Sequence, residues 1–267
     1  MSDTRVTQAD IEAYRESGFI QFKSFFSEGE TATLRAAIDD AIARNRERIV
    51  GADNGGRSSE DYERVFNQMV NLWTDYPEVK AFSFNERLAD SARRLARAES
   101  VRIYHDHAMI KPGGEHSKAT NWHQDQPYWP MDPLGPLSAW VAVDDVTIEN
   151  GCLHFCPGSH KFGKQEGIKL GVEGESIVTK MKERGHDVAD PVAMEMPAGG
   201  VTFHHGCNFH YAGPNQTDQP RRAFAVIYIP DYVTYTGGKE AAGAQDEMEP
   251  GGPWDHPLHP VLASASS

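Results

Sequence analysis

The segment Asn121-Trp-His-Gln-Asp-Gln-Pro127 places a histidine and a carboxylate two residues apart. On a β-strand, side chains alternate between the two faces, so His123 and Asp125 would point the same way and could bind one ion. Two histidines and one carboxylate form the ligand set that holds non-haem Fe(II) and leaves coordination positions open. The segment therefore predicts a strand, and a metal site completed by a second histidine from another strand.

Several histidines downstream could supply that third ligand. They lie in the segments 150–160 and 199–215, which are rich in glycine and in apolar residues. The candidates are His154, His160, His204, His205 and His210. Residue spacing within the chain does not by itself choose among them, because the partner strand can lie far away in the sequence.

The chain from Val101 onward has the sequence pattern of a β domain. Short runs rich in β-branched and aromatic residues alternate with Gly, Pro and Asn turns, a pattern typical of a sandwich or barrel. The predicted strands are Val101–Tyr104, Ala108–Lys111, Ser138–Val143, Cys152–Phe155, Val192–Met196, Val201–His204 and Phe224–Ile229.

The first hundred residues are predicted to be mainly helical. A capping box at Thr7 to Asp10 opens a helix that Gly18 closes, and a second box beginning at Ser27 opens a helix through about Asn45. Residues 51–60 have the composition of a loop, and Pro77–Ala98 is expected to be helical.

Helices followed by strands favour an α+β fold with a mainly β core and the helices packed on one face. We expect a single domain over residues 1–267. Its parts would be a mainly helical stretch over 1–100, the β core over 101–232, and a flexible loop and tail over 233–267. The segments 161–190 and 236–254 are either lids or solvated loops.

Composition excludes several classes of partner. The net charge of −13 argues against nucleic acid or an anionic membrane. No apolar run is long enough for a transmembrane helix, and the polar N-terminus is unlike a secretory signal. Three cysteines do not make a disulfide framework and fit free thiols in a reducing compartment. We therefore expect a cytoplasmic protein with a small-molecule substrate.

Four segments, in this order, resemble the phytanoyl-CoA dioxygenase family of Fe(II)/2-oxoglutarate-dependent oxygenases. They are Trp122–Asp125, the turn at Asn150 that leads to Pro157-Gly-Ser-His160, the turn Gly213-Pro-Asn215 after a histidine, and Arg221-Arg-Ala223. The resemblance implies a double-stranded β-helix, or jelly roll, of the cupin type. It also implies Fe(II), 2-oxoglutarate as co-substrate, and O2.

The resemblance also assigns roles to residues. In that family the distal histidine precedes the co-substrate arginine by eleven residues, which implies His210 as the third ligand and Arg221 as the partner of the remote carboxylate. Gln124 and Trp140 match positions that contact the co-substrate. Some relatives carry a serine two residues after the distal histidine, where this chain has Ala212. The candidates for a replacement hydroxyl are Thr120 and Tyr104.

The activity implied is hydroxylation of a small organic substrate, with 2-oxoglutarate converted to succinate and CO2. Two alternatives are a cupin-type metal enzyme without redox chemistry, such as an isomerase or hydrolase, and an inactive relative that binds a small molecule. The intact set of candidate ligands argues against the inactive relative, and Arg221 argues against the non-redox enzyme.

Overall fold

A computed structural model describes residues 6–44, 67–114, 117–165, 176–239 and 242–265. The loop predicted over residues 51–60 lies outside these ranges. The described helices are α1 (Gln8–Ser17), α2 (Glu28–Arg44), α3 (Pro77–Ser83), α4 (Glu86–Ala96) and α5 (Ile177–Glu183). Among them, none combines the length and the apolar character needed to cross a bilayer.

The capping signals correctly predict the first two helices. Thr7 accepts a hydrogen bond from the backbone of Asp10, and Gly18 ends α1 with φ +84°, in the left-handed region that favours glycine. Ser27 and the side chain of Glu30 form the second capping box at the start of α2. The prediction that Pro77–Ala98 is mostly helical is also confirmed.

This stretch forms two helices, α3 and α4, rather than one continuous helix. The break falls where the side chain of Asn85 accepts a hydrogen bond from Leu88 N at 3.1 Å. Asn85 therefore caps a new helix rather than continuing the previous one.

The strands form two main sheets and a small one. The strands are β1 (Phe19–Phe22), β2 (Asn67–Val70), β3 (Ser100–Lys111), β4 (Thr120–His123), β5 (Met131–Asp132), β6 (Leu137–Ala142), β7 (Leu153–Phe155), β8 (Val192–Ala193), β9 (Val201–His205), β10 (His210–Ala212), β11 (Arg221–Pro230), β12 (Thr234–Tyr235) and β13 (Val261–Ser264). The large sheet has the order β1-β9-β6-β11-β3-β13, with β2 also paired to β3. The second sheet has the order β4-β10-β7-β8, and β12 pairs with β5.

One face of the large sheet packs against the helices. Residues such as Val141, Phe203 and Phe224 on this face join Leu34 and Leu88 from the helices in one buried core. The opposite face turns toward the second sheet, where a smaller apolar cluster includes Trp140 and Phe155. The space between the two sheets is therefore enclosed by strands on both sides.

The strand β3 is continuous, whereas the sequence predicts two strands separated by His105–His107. The polar run His105-Asp106-His107 interrupts the apolar pattern without interrupting the strand, since these residues pair with Val226, Ala225 and their neighbours on β11. The strand predicted over Val192–Met196 is shorter than expected, because only β8 and an isolated bridge between Met196 and Val146 form.

The C-terminal segment is more structured than the loop and tail predicted over 233–267. It contributes β12, the fully buried Trp254 and β13, which pairs with the beginning of β3 in the large sheet. The described part of segment 161–190 includes α5, and residues 166–175 lie outside the description. Whether either segment acts as a lid stays a prediction.

The three cysteines are free thiols, and all of them are buried. Burial raises the pKa of Cys152 to about 11 and that of Cys156 and Cys207 to about 12. Each thiol is therefore protonated at neutral pH.

Asp106 connects β3 to the helical residues that pack against it through hydrogen bonds. Its replacement should destabilise the protein. Its fully buried carboxylate accepts hydrogen bonds from Leu72 N at 2.6 Å, from Trp73 N at 3.0 Å and from Ser83 Oγ. Asp106→Leu would leave two buried backbone donors unsatisfied, at about 1–3 kcal/mol each. We expect urea unfolding to show a loss of about 3 kcal/mol.

A matched control is Asp90→Ala, which breaks the half-exposed ion pair with Arg93. That change should cost less than about 1 kcal/mol. If Asp106→Leu were as stable as the wild type, the carboxylate would have no role in holding the helices to the sheet.

Candidate active site

Three side chains converge between the two sheets. The Oδ1 atom of Asp125 lies 3.7 Å from His123 Nε2 and 3.5 Å from His210 Nε2. All three donor atoms lie within 4.8 Å of one another. The structure thus brings together the three residues that the sequence analysis named as metal ligands.

The convergence has a different local cause from the one predicted. β4 ends at His123, and Asp125 sits in the turn that follows, with helical backbone angles rather than on a strand. The backbone N–H groups of Asp125 and Gln126 both donate to Gly206 O at 2.9 Å, which fixes the turn. His210, at the start of β10, is the cross-strand partner of His123. Strand pairing therefore aligns the two histidines, and the turn presents the carboxylate.

The hydrogen bonds of the two imidazoles fix which nitrogen is available to a metal. His123 Nδ1 lies 2.7 Å from Asn121 O, and His210 Nδ1 lies 3.0 Å from Asn208 O. Because a carbonyl only accepts, each Nδ1 carries the proton and each Nε2 presents a lone pair. Both lone pairs face Asp125 Oδ1, an arrangement that fits a divalent iron ion.

The protonation states of the three converging side chains also favour metal binding. Burial lowers the pKa of His210 to about 3 and shifts the pKa of His123 in the same direction. Burial alone would raise the pKa of Asp125, but the imidazoles of His210, His204 and His123 outweigh it and hold that pKa below its ordinary value. At neutral pH the site offers two neutral imidazoles and one carboxylate, the forms that bind metal.

Two residues of the large sheet hold the other carboxylate oxygen of Asp125 by hydrogen bonds. Asp125 Oδ2 accepts hydrogen bonds from Ser138 Oγ on β6 and from His204 Nε2 on β9, both at 3.2 Å. These bonds leave Oδ1 facing the two histidines. His204 thus contacts the carboxylate and is the one competing histidine that reaches the site.

Replacing His204 should weaken metal binding. His204→Leu removes a hydrogen bond that orients Asp125, and such outer partners typically contribute 10- to 100-fold in metal affinity. We expect a loss of that order in anaerobic Fe(II) titrations. His204→Gln, which keeps a donor at a similar reach, should restore most of the affinity.

His205→Leu is the matched control for His204→Leu. Its Nδ1 accepts from Cys207 N at 3.0 Å, and its ring packs near His160, away from Asp125. This variant should bind iron like the wild type. Unchanged affinity in His204→Leu would show that Ser138 alone holds the carboxylate.

A cavity of about 250 Å3 extends from the three converging groups. Its walls come from both sheets. The lining residues are His105, His107, Met109, Lys111, Thr120, His123, Asp125, Tyr128, Trp129, Ser138, Trp140, Leu153, His204, His210, Ala212, Arg221, Ala225 and Ile227.

Arg221 also lines the cavity. Its guanidinium lies 5.2 Å from the centre of the Trp140 ring, and its Nη2 donates to Gly151 O at 3.1 Å. Burial lowers the pKa of Arg221 to about 10, so the group is still charged at neutral pH. Arg222, the next residue, instead pairs with Asp39 and Asp144 at 2.7 and 3.1 Å. Alternation along β11 thus places one arginine in the cavity and the other outside it.

The remaining predicted site residues divide into two groups. Thr120 and Trp140 line the cavity, as expected. Gln124 does not appear among the described lining residues: its amide donates to Gly163 O and Cys207 O at 2.8 and 2.6 Å and accepts from Gln165 N. Its side chain supports the loop behind the site, so we do not retain it as a co-substrate contact.

The titratable residues His105, His107 and Lys111 also line the cavity, although the sequence analysis did not assign them to the site. His105 and His107 project from β3 toward the same space as Asp125, and Lys111 lies beside Arg221. Burial, followed by the nearby His105, lowers the pKa of His107 to about 3, so this imidazole is neutral. A period-two pattern of histidines at 105 and 107, followed by the lysine, was the available signal, but the strand break placed there obscured it.

Known proteins are similar to this chain over most of its length. Phytanoyl-CoA dioxygenase domain-containing protein 1 of Mus musculus is 32% identical, over 83% of this chain and 89% of the mouse protein. A probable alpha-ketoglutarate-dependent hypophosphite dioxygenase of Stutzerimonas stutzeri is 25% identical, over 80% of this chain and 76% of that protein.

Among solved structures, the non-heme alpha ketoglutarate dependent carbocyclase SnoK from nogalamycin biosynthesis superimposes with a TM-score of 0.79. It is 25% identical, and the match covers 97% of each chain. The sequence profile described as phytanoyl-CoA dioxygenase (PhyH) matches residues 14–223. These likenesses confirm the resemblance inferred from the four sequence segments, and the chain belongs to the phytanoyl-CoA dioxygenase (PhyH) family.

Proposed function

We propose that this protein is an Fe(II)- and 2-oxoglutarate-dependent oxygenase that hydroxylates a small organic substrate and converts 2-oxoglutarate to succinate and CO2. One observation carries the proposal. The two imidazole nitrogens and the carboxylate oxygen converge in the same cavity that the buried cation Arg221 lines. A metal ion and an elongated dianion with a keto acid group fit these two features together.

His123, Asp125 and His210 would hold the iron. These three residues also line the cavity, so an ion that they held would be accessible from it. Iron bound here supplies O2 activation and the oxidation of the substrate C–H bond, coupled to oxidation of the co-substrate. The protein keeps both imidazoles neutral and the carboxylate ionised, so the ligands need no proton transfer before they bind the metal.

The two parts of the cavity would receive different molecules. Arg221 would bind the remote carboxylate of 2-oxoglutarate, with Trp140 and Thr120 shaping the space around it. His105, His107 and Tyr128 would face the substrate. The volume of about 250 Å3 favours a small substrate or the small reactive end of a larger one.

The finer fold assignment belongs to the same proposal. We propose that the two facing sheets form a double-stranded β-helix of the jelly-roll type, and that residues 1–267 make a single oxygenase domain. The pairing of β13 with β3 supports this, since it joins the C-terminal segment to the central sheet. The three free thiols support a reducing, cytoplasmic location.

The experiment is a succinate assay. Protein loaded with Fe(II) without oxygen is mixed with 2-oxoglutarate and O2, alone and with a panel of acyl-CoA esters, amino-acid derivatives, natural-product skeletons and hypophosphite. We expect slow succinate release alone and faster release with a true substrate, which mass spectrometry would show gaining one oxygen atom. Protein that neither binds 2-oxoglutarate nor forms succinate would support a metal enzyme without redox chemistry.

A further inference from the structure

Two buried cations lie side by side in the cavity. Lys111 ends β3 and Arg221 begins β11, and the two residues are direct cross-strand partners. Side chains at such positions share one face of the sheet with Cβ atoms roughly 5 Å apart. Their residues are only 1% and 5% exposed.

The described protein groups satisfy neither cation fully. Lys111 Nζ donates one hydrogen bond, to Lys118 O at 2.8 Å, although an ammonium has three protons to donate. Arg221 Nη2 donates to Gly151 O, but its buried Nε has no described hydrogen-bond partner. Within the described residues, no carboxylate lies within ion-pair distance of either side chain.

Two like charges buried together without a counter-ion are costly, and the cost disappears if an anion binds between them. The cavity that both side chains line supplies the space for one. Ala212, the position at which some relatives carry a serine, lines the same cavity.

We infer that Lys111 and Arg221 together bind the remote carboxylate of 2-oxoglutarate, with Lys111 in place of the missing serine hydroxyl. This inference rests on the proposed function, because it takes 2-oxoglutarate as the occupant. It makes Lys111 a binding residue that selects for a second negative charge on the co-substrate.

Binding of a carboxylate beside Lys111 would be coupled to proton uptake. Burial, followed by the charge of Arg221, lowers the pKa of Lys111 to about 7. The other titratable groups near the pair are Cys152, which is protonated, and Asp144, which Arg35 and Arg222 already neutralise. A carboxylate beside Lys111 would favour its charged form and raise that pKa. At pH 8 the free protein would therefore take up a proton when 2-oxoglutarate binds.

The first test compares two ligands by anaerobic calorimetry on the Fe(II)-loaded protein. They are 2-oxoglutarate and 2-oxopentanoate, which has the same chain without the remote carboxylate. Lys111→Met should raise the dissociation constant of 2-oxoglutarate on the order of 10- to 100-fold, and that of 2-oxopentanoate less than about 3-fold. Lys111→Gln, which can still donate to Lys118 O but carries no charge, should behave like Lys111→Met.

Other outcomes overturn the inference. Equal weakening of both ligands, or an unchanged affinity for 2-oxoglutarate, would make Lys111 a structural residue only and would leave the proposed function standing. Wild-type protein that does not bind 2-oxoglutarate would overturn the proposed function, and the inference with it.

The second test needs only the wild-type fold. The binding enthalpy of 2-oxoglutarate at pH 8, measured in buffers with different ionisation enthalpies, gives the number of protons taken up. We expect more than about half a proton at pH 8 and close to none at pH 6, where Lys111 is already charged. No uptake at pH 8 would contradict a carboxylate bound beside Lys111.

Discussion

Alanine at His123, Asp125 or His210 should abolish the conversion of 2-oxoglutarate to succinate while the protein stays folded. Each substitution removes one of three donor atoms that face a common point between the sheets. Groups that act as a unit lose nearly all activity when one of them is removed, so we expect a fall on the order of a thousandfold or more. Iron retained after anaerobic gel filtration should fall with the activity.

His154→Ala is the matched control for these three variants. His154 is a half-buried histidine on β7, paired with Tyr211 beside His210, and it is not among the described residues that line the cavity. This variant should keep both iron and activity. Full activity in His210→Ala would move the third ligand to His204, the other imidazole bonded to Asp125.

Thermal unfolding gives an independent readout of the same site. A ligand that binds only the folded state raises its stability, so removing iron with a chelator should lower the Tm of the wild-type protein. The alanine variants at His123, Asp125 and His210 should show no such shift.

Arg221→Ala should weaken 2-oxoglutarate binding by roughly two to four orders of magnitude. The substitution leaves the remote carboxylate without its main partner in a buried site, and losing one member of a buried charge pair costs about 3–5 kcal/mol. Calorimetry on the Fe(II)-loaded protein measures the change directly. Lys111 would supply the residual affinity.

Arg222→Ala tests whether position rather than charge decides that loss. Its guanidinium pairs with Asp39 and Asp144 outside the cavity, so its removal should cost some stability and leave 2-oxoglutarate affinity within about threefold. If Arg221→Ala bound 2-oxoglutarate as tightly as the wild type, the proposed role of the buried arginine would be wrong.

Local signals explain which parts of the fold the sequence predicts. The first two helices are correct because Thr7 and Ser27 begin capping boxes whose hydrogen bonds lie within four residues. β3 is misread because Asp106 looks like a break in an apolar strand. Its carboxylate is satisfied by Leu72, Trp73 and Ser83, which a reading of neighbouring residues does not bring together.

Site residues whose positions follow from spacing along the sequence are predicted from it. Those that reach the site through strand pairing are missed. His123 and Asp125 are two residues apart, and the interval from His210 to Arg221 matches the family. The contact between Lys111 and Arg221 depends on the antiparallel pairing of β3 with β11. The period-two pattern of β3 could have indicated the face on which Lys111 lies, but no local pattern specifies the register that pairs Lys111 with Arg221.

The burial of the thiols affects how resistant the protein would be to oxidation by the reaction that it catalyses. Iron held at this site would supply O2 activation, and oxidants formed there would oxidise cysteine through an exposed thiolate. Cys152 directly precedes Leu153, which lines the cavity, yet its thiol is buried and its pKa is raised to about 11. Keeping this sulfur protonated and covered would protect the chain against oxidative damage beside the cavity.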